Sequence, residues 1–298
     1  IAALNGDFYD TSNGVPLGMM IINGKLVTSG NGRHAVGIKA DGSVIGGQVN
    51  IGLVFNNGST NSTINHLNKD RKTNTSNVYM YTDDFGASTQ TTVPGTEVVL
   101  NITSGNHLTI GGTITAQVEE VRTNATNTSI PYGRVVLGVH NDNAQKLAGL
   151  TVGTTITISA TDNTTLGWGS VIQSIGIGNI IAEDGVITSV AISNKDVHPR
   201  SFLGFKDDGT YMLFQVDGRQ PGYSNGMDYQ QIYDYLVTER GASNVYELDG
   251  GGSSTISARL PGSANASVLN NPSDGRERSN ANAILFLAKT GPDPSGTV

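Results

Sequence analysis

The sequence contains no cysteine and few charged side chains. Without cysteine, neither disulfide bonds nor thiolate metal sites can form. Lys, Arg, Asp and Glu make up 14% of the 298 residues, the net charge is −7, and no run of Lys or Arg occurs. We therefore expect no nucleic-acid-binding surface. No apolar run reaches the length of a membrane span. The surface must be solvated largely by Asn, Ser and Thr, a composition that indicates an extracellular or cell-envelope protein.

Glycine and the β-branched residues are abundant. The 39 glycines, together with many Val, Ile and Thr residues, favour strands and tight turns over helices. Residues 19–22 and 25–27 flank Asn23-Gly24, which predicts a hairpin. Helices are expected over 143–150, capped by Asn141 or Asp142, and over 228–240, capped by Asp228 with Gln231 and ended by Gly241. The charged residues 69–72 are expected in a solvated loop.

The pattern of short strands divides the chain into a main domain and an insertion. From 95 to 160 the strands are short and alternating, which predicts an inserted β-rich module. The main domain then comprises residues 1–94 and 161–290, and residues 291–298 form a tail or linker. Because Ile1 begins within an apolar strand, we expect the first strands of this domain to lie upstream. The predicted fold class is α+β, with a mixed, strand-rich sheet core and few helices.

Two predicted strands end in an aspartate followed by glycine. Residues 245–248 lead into Asp249 and the triplet Gly250, Gly251 and Gly252, and residues 211–216 lead into Asp217. Three consecutive glycines allow close approach to the backbone and expose N–H groups that suit an anion. A flexible hairpin turn is the alternative. If the two strands are parallel neighbours, Asp217 and Asp249 share the edge of a sheet where ligands commonly bind.

Further polar residues stand near other strand ends. Asn5 and Asp7 follow the first strand and precede Phe8; an exposed Asn-Gly turn is the alternative interpretation. His198 and Arg200 enter a strand, although an isolated histidine is more often structural. Arginines suit bidentate recognition of phosphate, and a carboxylate can stabilise or attack the oxocarbenium-like carbon formed when a sugar–phosphate bond breaks. The combination therefore suits a substrate with both a sugar and a phosphate.

An ordered set of motifs resembles the phosphodiester glycosidases related to the lysosomal uncovering enzyme. The matching motifs are NGDFY at 5–9, HPR at 198–200, DGRQ at 217–220, SNGM at 224–227, LDGGGSS at 248–254 and NNPSDGRER at 270–278. The resemblance implies hydrolysis of a sugar-1-phosphodiester, resembling a GlcNAc-1-phosphodiester, by an α+β core with a β-rich insertion. Because the cysteine-rich parts of the lysosomal enzyme are absent, a bacterial or phage relative is implied. Its substrate would be a phosphodiester-linked cell-wall or capsular glycan, and its location the cell envelope, the exterior or a phage particle.

The expected site residues follow from these motifs. Asp249 and Asp217 are expected to be catalytic, and Asp7 less securely, since the family commonly has a small residue at that position. The expected substrate-binding residues are Asn5, Phe8, His198, Arg200, Arg219, Ser224, Gly250, Gly251, Gly252, Ser253, Ser254, Arg276 and Arg278.

Two alternatives stay open at this point. One is a non-catalytic glycan-binding module of an envelope or phage assembly. The other is a metal-dependent phosphodiesterase in which Asp7, Asp217 and Asp249 bind Ca²⁺ or Mg²⁺. The sequence itself requires no cofactor. The expected partner is a phosphorylated carbohydrate, and the sugar, the anomer and the oligomeric state are not determined.

Overall fold

A computed structural model describes residues 1–71 and 75–287. The chain divides into two compact units, which we describe separately. Unit 1 combines Ile1–Phe8 with the chain from Ile177 onward, and unit 2 is Tyr9–Gly176. The predicted tail, residues 291–298, lies outside the described residues.

The strands are numbered in chain order. They are β1 (Ala2–Asn5), β2 (Met20–Ile22), β3 (Lys25–Thr28), β4 (His34–Lys39), β5 (Val44–Gln48), β6 (Ile51–Asn56), β7 (Asn61–Ile64), β8 (His66–Leu67), β9 (Tyr79–Thr82), β10 (Gly95–Ser104), β11 (Thr113–Ala125), β12 (Arg134–His140), β13 (Thr155–Asp162), β14 (Val171–Ile177), β15 (Ile180–Glu183), β16 (Val186–Ile187), β17 (Arg200–Phe205), β18 (Tyr211–Val216), β19 (Asn244–Glu247), β20 (Ile256–Ala258), β21 (Ser267–Val268) and β22 (Ala283–Phe286). The strand-rich prediction is confirmed.

The helices are few and short, so the predicted α+β class is only loosely supported. They are α1 (Ser189–Ser193), α2 (Tyr229–Tyr233), a π-helical continuation (Asp234–Glu239) and 3₁₀ turns at Asn141–Leu147, Trp168–Ser170 and Gly251–Ser253. Asp228 caps α2 in a capping box with Gln231, as predicted. Gly241, at φ 76°, follows the π-helical turn. The helix predicted over 143–150 is instead a 3₁₀ turn that begins two residues earlier and is capped by His140.

Unit 2 contains two sheets around a large apolar core. Their strand orders are β7-β6-β13-β11-β10-β12-β9-β8 and β3-β2-β14-β4-β5. Along β6, buried residues alternate with less buried ones, the period expected when one face of a strand packs on a core. The strands from the predicted module 95–160 pair directly with β6 and β9. Its boundaries as a separate module therefore stay a prediction.

The charged residues 69–71 lie in a loop, as predicted, but Arg71 is buried and not solvated. Arg71 is 3% exposed, and its Nη2 lies 2.9 Å from Oε1 of Glu97, which is fully buried. Thr89 and Thr91 donate further hydrogen bonds to the Glu97 carboxylate. A buried charge is tolerated when it is paired and hydrogen-bonded, and these long-range partners are what turn Arg71 inward. Lys72 lies outside the described residues.

Unit 1 contains a five-stranded and a four-stranded sheet. Their orders are β16-β15-β19-β17-β18 and β21-β20-β1-β22. Since β17 is antiparallel to both β18 and β19, those two strands run parallel to each other. They are not neighbours, because β17 lies between them, but both end at the edge of the sheet where β17 begins.

Candidate functional site

A cleft of about 310 Å³ lies in unit 1 where β17 begins and β19 ends. The antiparallel pairing of these strands brings the two loops together at one edge of the sheet. Nine predicted site residues and two others share this cleft. Its lining residues are Phe8, His198, Pro199, Arg200, Arg219, Glu247, Asp249, Gly250, Gly251, Gly252 and Arg278.

Asp249 is the one predicted catalytic aspartate that lines the cleft. Its backbone is fixed on both sides, since its N–H donates to the Gly6 carbonyl at 2.9 Å and its carbonyl accepts from Asn5 Nδ2 at 2.7 Å. Burial raises the pKa of the Asp249 carboxyl, while Ser253, the Gly250 N–H and Arg278 act in the opposite direction. The Ser253 hydroxyl stabilises the ionised Asp249 carboxylate from nearby, although the geometry between them does not meet the criteria for a hydrogen bond. Asp249 is therefore a more basic carboxylate than an exposed aspartate.

The glycine triplet makes room for two arginine side chains. A Cβ atom on residue 251 would lie 3.0 Å from Nη1 of Arg219, and one on residue 252 would overlap Nη2 of Arg278. The sequence predicted that these glycines admit the substrate phosphate close to the backbone. In the structure the closest approach is made by the guanidinium groups themselves, which brings positive charge to the turn that follows Asp249.

The two guanidinium groups differ in how far their charge is compensated. Arg278 forms an ion pair with Asp274 at 2.6 Å. Arg219 is exposed, and its side chain has no ion pair or hydrogen bond within residues 1–71 and 75–287. Its φ of 58° lies in the left-handed region, which a residue with a side chain seldom adopts. Backbone strain of this kind often accompanies a functional site.

Glu247 is a cleft residue that the sequence analysis did not select. It is 5% exposed, and its carboxylate accepts hydrogen bonds from Arg200 Nη1 at 2.7 Å, Asn179 Nδ2 at 2.6 Å and the Tyr229 hydroxyl at 2.8 Å. Burial and the neighbouring Glu247 carboxylate raise the pKa of Tyr229, so its hydroxyl stays a donor. The sequence did contain a signal for Glu247. It precedes Asp249 by two residues, and residues two apart in an extended strand lie on the same face.

Arg200 supports Glu247 at the cleft. Besides its bond to Glu247, it donates from Nε to the Met227 carbonyl at 3.0 Å and from Nη2 to the Asp196 carbonyl at 2.8 Å. Its guanidinium carbon lies 4.1 Å from the centre of the Tyr229 ring. Each of the three guanidinium nitrogens therefore makes a hydrogen bond, and the expectation that Arg200 binds the substrate phosphate stays a prediction.

Asp217 organises a loop and does not belong to the described cleft lining. Its carboxylate accepts hydrogen bonds from Gln215, Tyr223, Asn270 and the backbone N–H of Asn271. The Ser224 hydroxyl donates to its carbonyl at 2.6 Å, so Ser224 belongs to the same loop. These partners engage the carboxylate outside the cleft lining, and its expected catalytic role stays a prediction.

Of the remaining predicted residues, Phe8 and His198 line the cleft. Asn5 accepts from the Ser201 hydroxyl and the Thr255 N–H, so its role is to join strands. Asp7 is 4% exposed. Nδ1 of His198 is buried without a hydrogen-bond partner in the described structure. Besides Asp217 and Ser224, the predicted residues that do not appear in the described cleft lining are Asn5, Asp7, Ser253, Ser254 and Arg276.

The predicted aspartates do not form a metal-binding group. Within the described residues, no three His, Cys, Asp or Glu side chains are arranged to hold a metal ion. Asp217 is occupied by its loop partners, and neither it nor Asp7 lines the cleft with Asp249. The predicted three-aspartate site for Ca²⁺ or Mg²⁺ is therefore not assembled.

Comparison with models of known protein families identifies the family of this chain. The phosphodiester glycosidase family model matches residues 108–287, more than half of the sequence. The chain belongs to the phosphodiester glycosidase family. The match includes β17, β19, the glycine triplet and both arginines beside it, so the cleft of this phosphodiester glycosidase lies almost wholly within the family's region.

Individual relatives are distant and longer than this phosphodiester glycosidase. A SPbeta prophage-derived protein of Bacillus subtilis (strain 168), YomE, is 37% identical over 81 residues, which are 27% of this chain and 11% of that protein. A Synechocystis protein of solved structure superposes with a TM-score of 0.71 at 19% identity, over 94% of this chain and 50% of that one. A Burkholderia pseudomallei K96243 protein superposes with a TM-score of 0.67 at 19% identity, over 96% of this chain and 65% of that one. These two structures support the fold.

Proposed function

We propose that this chain is a hydrolase that cleaves the glycosidic bond of a sugar-1-phosphodiester, resembling a GlcNAc-1-phosphodiester, within a phosphodiester-linked cell-wall or capsular glycan. Family membership supports a glycosidase-type hydrolase. The observation that carries the finer proposal is the glycine turn after Asp249. There, a carboxyl group whose pKa is raised by burial adjoins the guanidinium groups of Arg219 and Arg278.

The reaction separates charge in a way that this cleft can compensate. The bond between the anomeric carbon and the phosphate oxygen breaks, and its electron pair leaves with the phosphate. Arg219 and Arg278 stabilise the additional negative charge on that leaving group, as pre-positioned cations do in other enzymes. Because a phosphate monoester is already a good leaving group, the arginines can replace much of what a general acid would supply.

Asp249 acts at the anomeric carbon in this proposal. Its carboxylate either attacks that carbon or removes a proton from the attacking water. Both roles require the ionised form, and a raised pKa increases its basicity. Phe8 supplies an apolar wall for the sugar ring, and the buried charge of Glu247 faces the oxocarbenium-like centre from the same side of the strand.

The proposed partner is a phosphorylated carbohydrate, and the proposed location is the cell exterior, the envelope or a phage particle. The low charge content and the polar, uncharged surface residues support an external location. The matching Burkholderia protein carries the provisional name of an exported protein, and the matching Bacillus protein derives from a prophage. In the part of the chain that the structure describes, no helix is long and apolar enough to cross a membrane.

Hydrolysis of N-acetylglucosamine 1-(methyl phosphate) in ¹⁸O-labelled water tests the proposal. We expect ¹⁸O in the released sugar, because water attacks carbon. Label in the phosphate product, with loss of activity in EDTA, would instead identify a metal-dependent phosphodiesterase. Binding without turnover would identify a glycan-binding module.

Asp249→Asn and Asp207→Asn provide a matched pair for this assay. Asp207 lies in an exposed turn of unit 1, outside the cleft lining. We expect the first variant to lose at least about 10²-fold in kcat and the second to retain the rate of the wild type. Full activity of Asp249→Asn would refute the assignment.

A further inference from the structure

Unit 2 has a second cavity, of about 280 Å³, that the proposed hydrolysis does not use. Its floor is apolar and belongs to the core of the unit: Leu67 and Met80 are fully buried, and Ile114 is 1% exposed. Its rim comes from residues 102–108 and 132–135. An apolar floor with a polar rim is the usual composition of a small-ligand site.

Tyr132 stands at this rim with 89% of its surface exposed. It occupies the second position of a β-turn in which Arg134 N–H donates to the Pro131 carbonyl at 3.0 Å. Gly133, at φ 76°, supplies the left-handed third position that a type II turn requires. The Gly133 carbonyl also accepts from the Ile102 N–H, which attaches the turn to β10. The aromatic ring is therefore carried by a backbone of fixed geometry.

The charged groups around this cavity are compensated within unit 2. Lys25 pairs with Asp84 at 2.6 Å, and Arg134 pairs with Glu119 at 2.9 Å. The side chains of Ser104, Asn106 and His107 are exposed and form no hydrogen bonds within the described residues. The rim thus offers side chains that are available for hydrogen bonds to a ligand. Unlike the cleft of unit 1, its described residues include no arginine without an ion-pair partner.

We infer that this cavity is a binding site for a neutral sugar residue of a polysaccharide. A pyranose ring has an apolar face that packs on an aromatic ring and hydroxyl groups that need donors and acceptors at its edge. Tyr132 supplies the exposed aromatic face, and the residues at 104–107 supply the hydrogen-bonding edge. The neutral character of the rim favours an uncharged sugar over a phosphate.

The inference rests on the proposed function in one respect, namely that the substrate is a glycan. A site on unit 2 would retain the polymer near the enzyme and increase the effective concentration of cleavable bonds. Its sugar specificity is independent of the chemistry at Asp249, so the two proposals can fail separately.

Calorimetric titration of the full chain with four neutral tetrasaccharides tests the inference. The probes are tetramers of N-acetylglucosamine, glucose, galactose and mannose. We expect at least one to bind the wild type, and Tyr132→Ala to weaken that binding about tenfold or more, equivalent to about 1.4 kcal/mol. Tyr132→Phe, which keeps the ring, should restore most of the affinity. Since the side chain is almost fully exposed, its removal should leave the melting temperature unchanged.

Val152→Ala is the matched control, because Val152 is 68% exposed in the same unit and does not belong to the described lining of this cavity. It should bind as the wild type does. The inference is overturned if no probe binds the wild type. It is also overturned if Tyr132→Ala binds the sugar with the same affinity as Val152→Ala and the wild type. Sugar binding that depends on Tyr132, without hydrolysis of the phosphodiester, would retain this site and refute the proposed activity.

Discussion

Arg200 and Glu247 form a buried ion pair in which Nη1 lies 2.7 Å from Oε1, at the edge of the candidate cleft. Removing one member of such a pair leaves an uncompensated charge in the interior. We therefore expect Glu247→Gln to lower the free energy of unfolding by about 3 kcal/mol or more. Urea unfolding of the folded wild type and variant measures this.

The double variant Arg200→Met, Glu247→Gln, compared with the two single variants, measures the interaction energy between these two side chains. With both charges removed, the loss should be clearly smaller than the sum of the two single losses. Additive losses would mean that the two side chains stabilise the protein independently.

Gly252→Ala should reduce activity while leaving the fold intact. Its Cβ would overlap the Arg278–Asp274 ion pair, so the Arg278 side chain would have to move from its position in the cleft lining. A displacement of a catalytic group by about 1 Å costs on the order of 10²-fold in rate. Steady-state kinetics on the methyl phosphodiester, beside thermal melting, would show the two effects separately.

Gly169→Ala supplies the comparison for that variant. Its Cβ would have its nearest neighbour at 3.4 Å, an ordinary contact, and it lies in unit 2. Equal kinetics for the two glycine variants would contradict the arrangement described at Gly252.

Arg219 and Arg276 should differ as phosphate-binding residues, although both are exposed arginines in motifs of the family. Arg219 lines the cleft, whereas Arg276 does not appear in its described lining. Hydrogen bonds to a charged group contribute about 1.5–3 kcal/mol. Arg219→Gln should therefore weaken inhibition by inorganic phosphate roughly tenfold to a hundredfold.

Arg276→Gln should leave the inhibition constant unchanged. The same loss in both variants would indicate a general electrostatic effect of the loop, and not a contact made by Arg219.

The raised pKa of Asp249 predicts both an activity profile and a stability difference. If the ionised carboxylate is the reactive form, log kcat/KM should rise with pH up to a pKa above the usual aspartate range and then level. A profile that falls above this pKa would assign the proton-donor role instead. Initial rates between pH 3.5 and 8 distinguish the two.

The same shift has a defined sign for stability. Because the folded-state pKa is raised, the protonated carboxyl contributes stability that is fully present below the unfolded value of about 3.9. This contribution is lost as the pH rises through the folded-state pKa. Asp249→Asn, which is neutral at every pH, should therefore melt above the wild type at pH 7, and the difference should shrink toward pH 4. An equal difference at both pH values would contradict the burial of this charge.

Local features were predictable from the sequence because their causes are local. The Asn23-Gly24 hairpin formed with both residues at positive φ, and Asp228 caps its helix with Gln231. The position of Asp249 after a buried strand was also recognisable, since it depends only on the strand period and the glycines that follow.

The partners of the charged residues were not predictable, because they lie far away in sequence. Asp217 is held by Asn270, and Arg200 pairs with Glu247, each across about fifty residues. No local pattern reveals whether an arginine beside a cleft is already engaged. Within the described residues, Arg219 has no side-chain partner, whereas Arg200 is hydrogen-bonded through all three guanidinium nitrogens, and this distinction needed the three-dimensional structure.

Unit 1 is assembled from two stretches separated by the whole of unit 2 in sequence. β1 pairs with β20 and β22, and the Asn5 side chain binds the backbone of Asp249, 244 residues away. During ribosomal synthesis, residues 1–8 therefore emerge long before the strands that will enclose them. Unit 2 is contiguous and can fold as soon as it has emerged, as domains commonly do. The cleft can close only after Arg278 has emerged, so Asp249 acquires its surroundings well after unit 2 has been made.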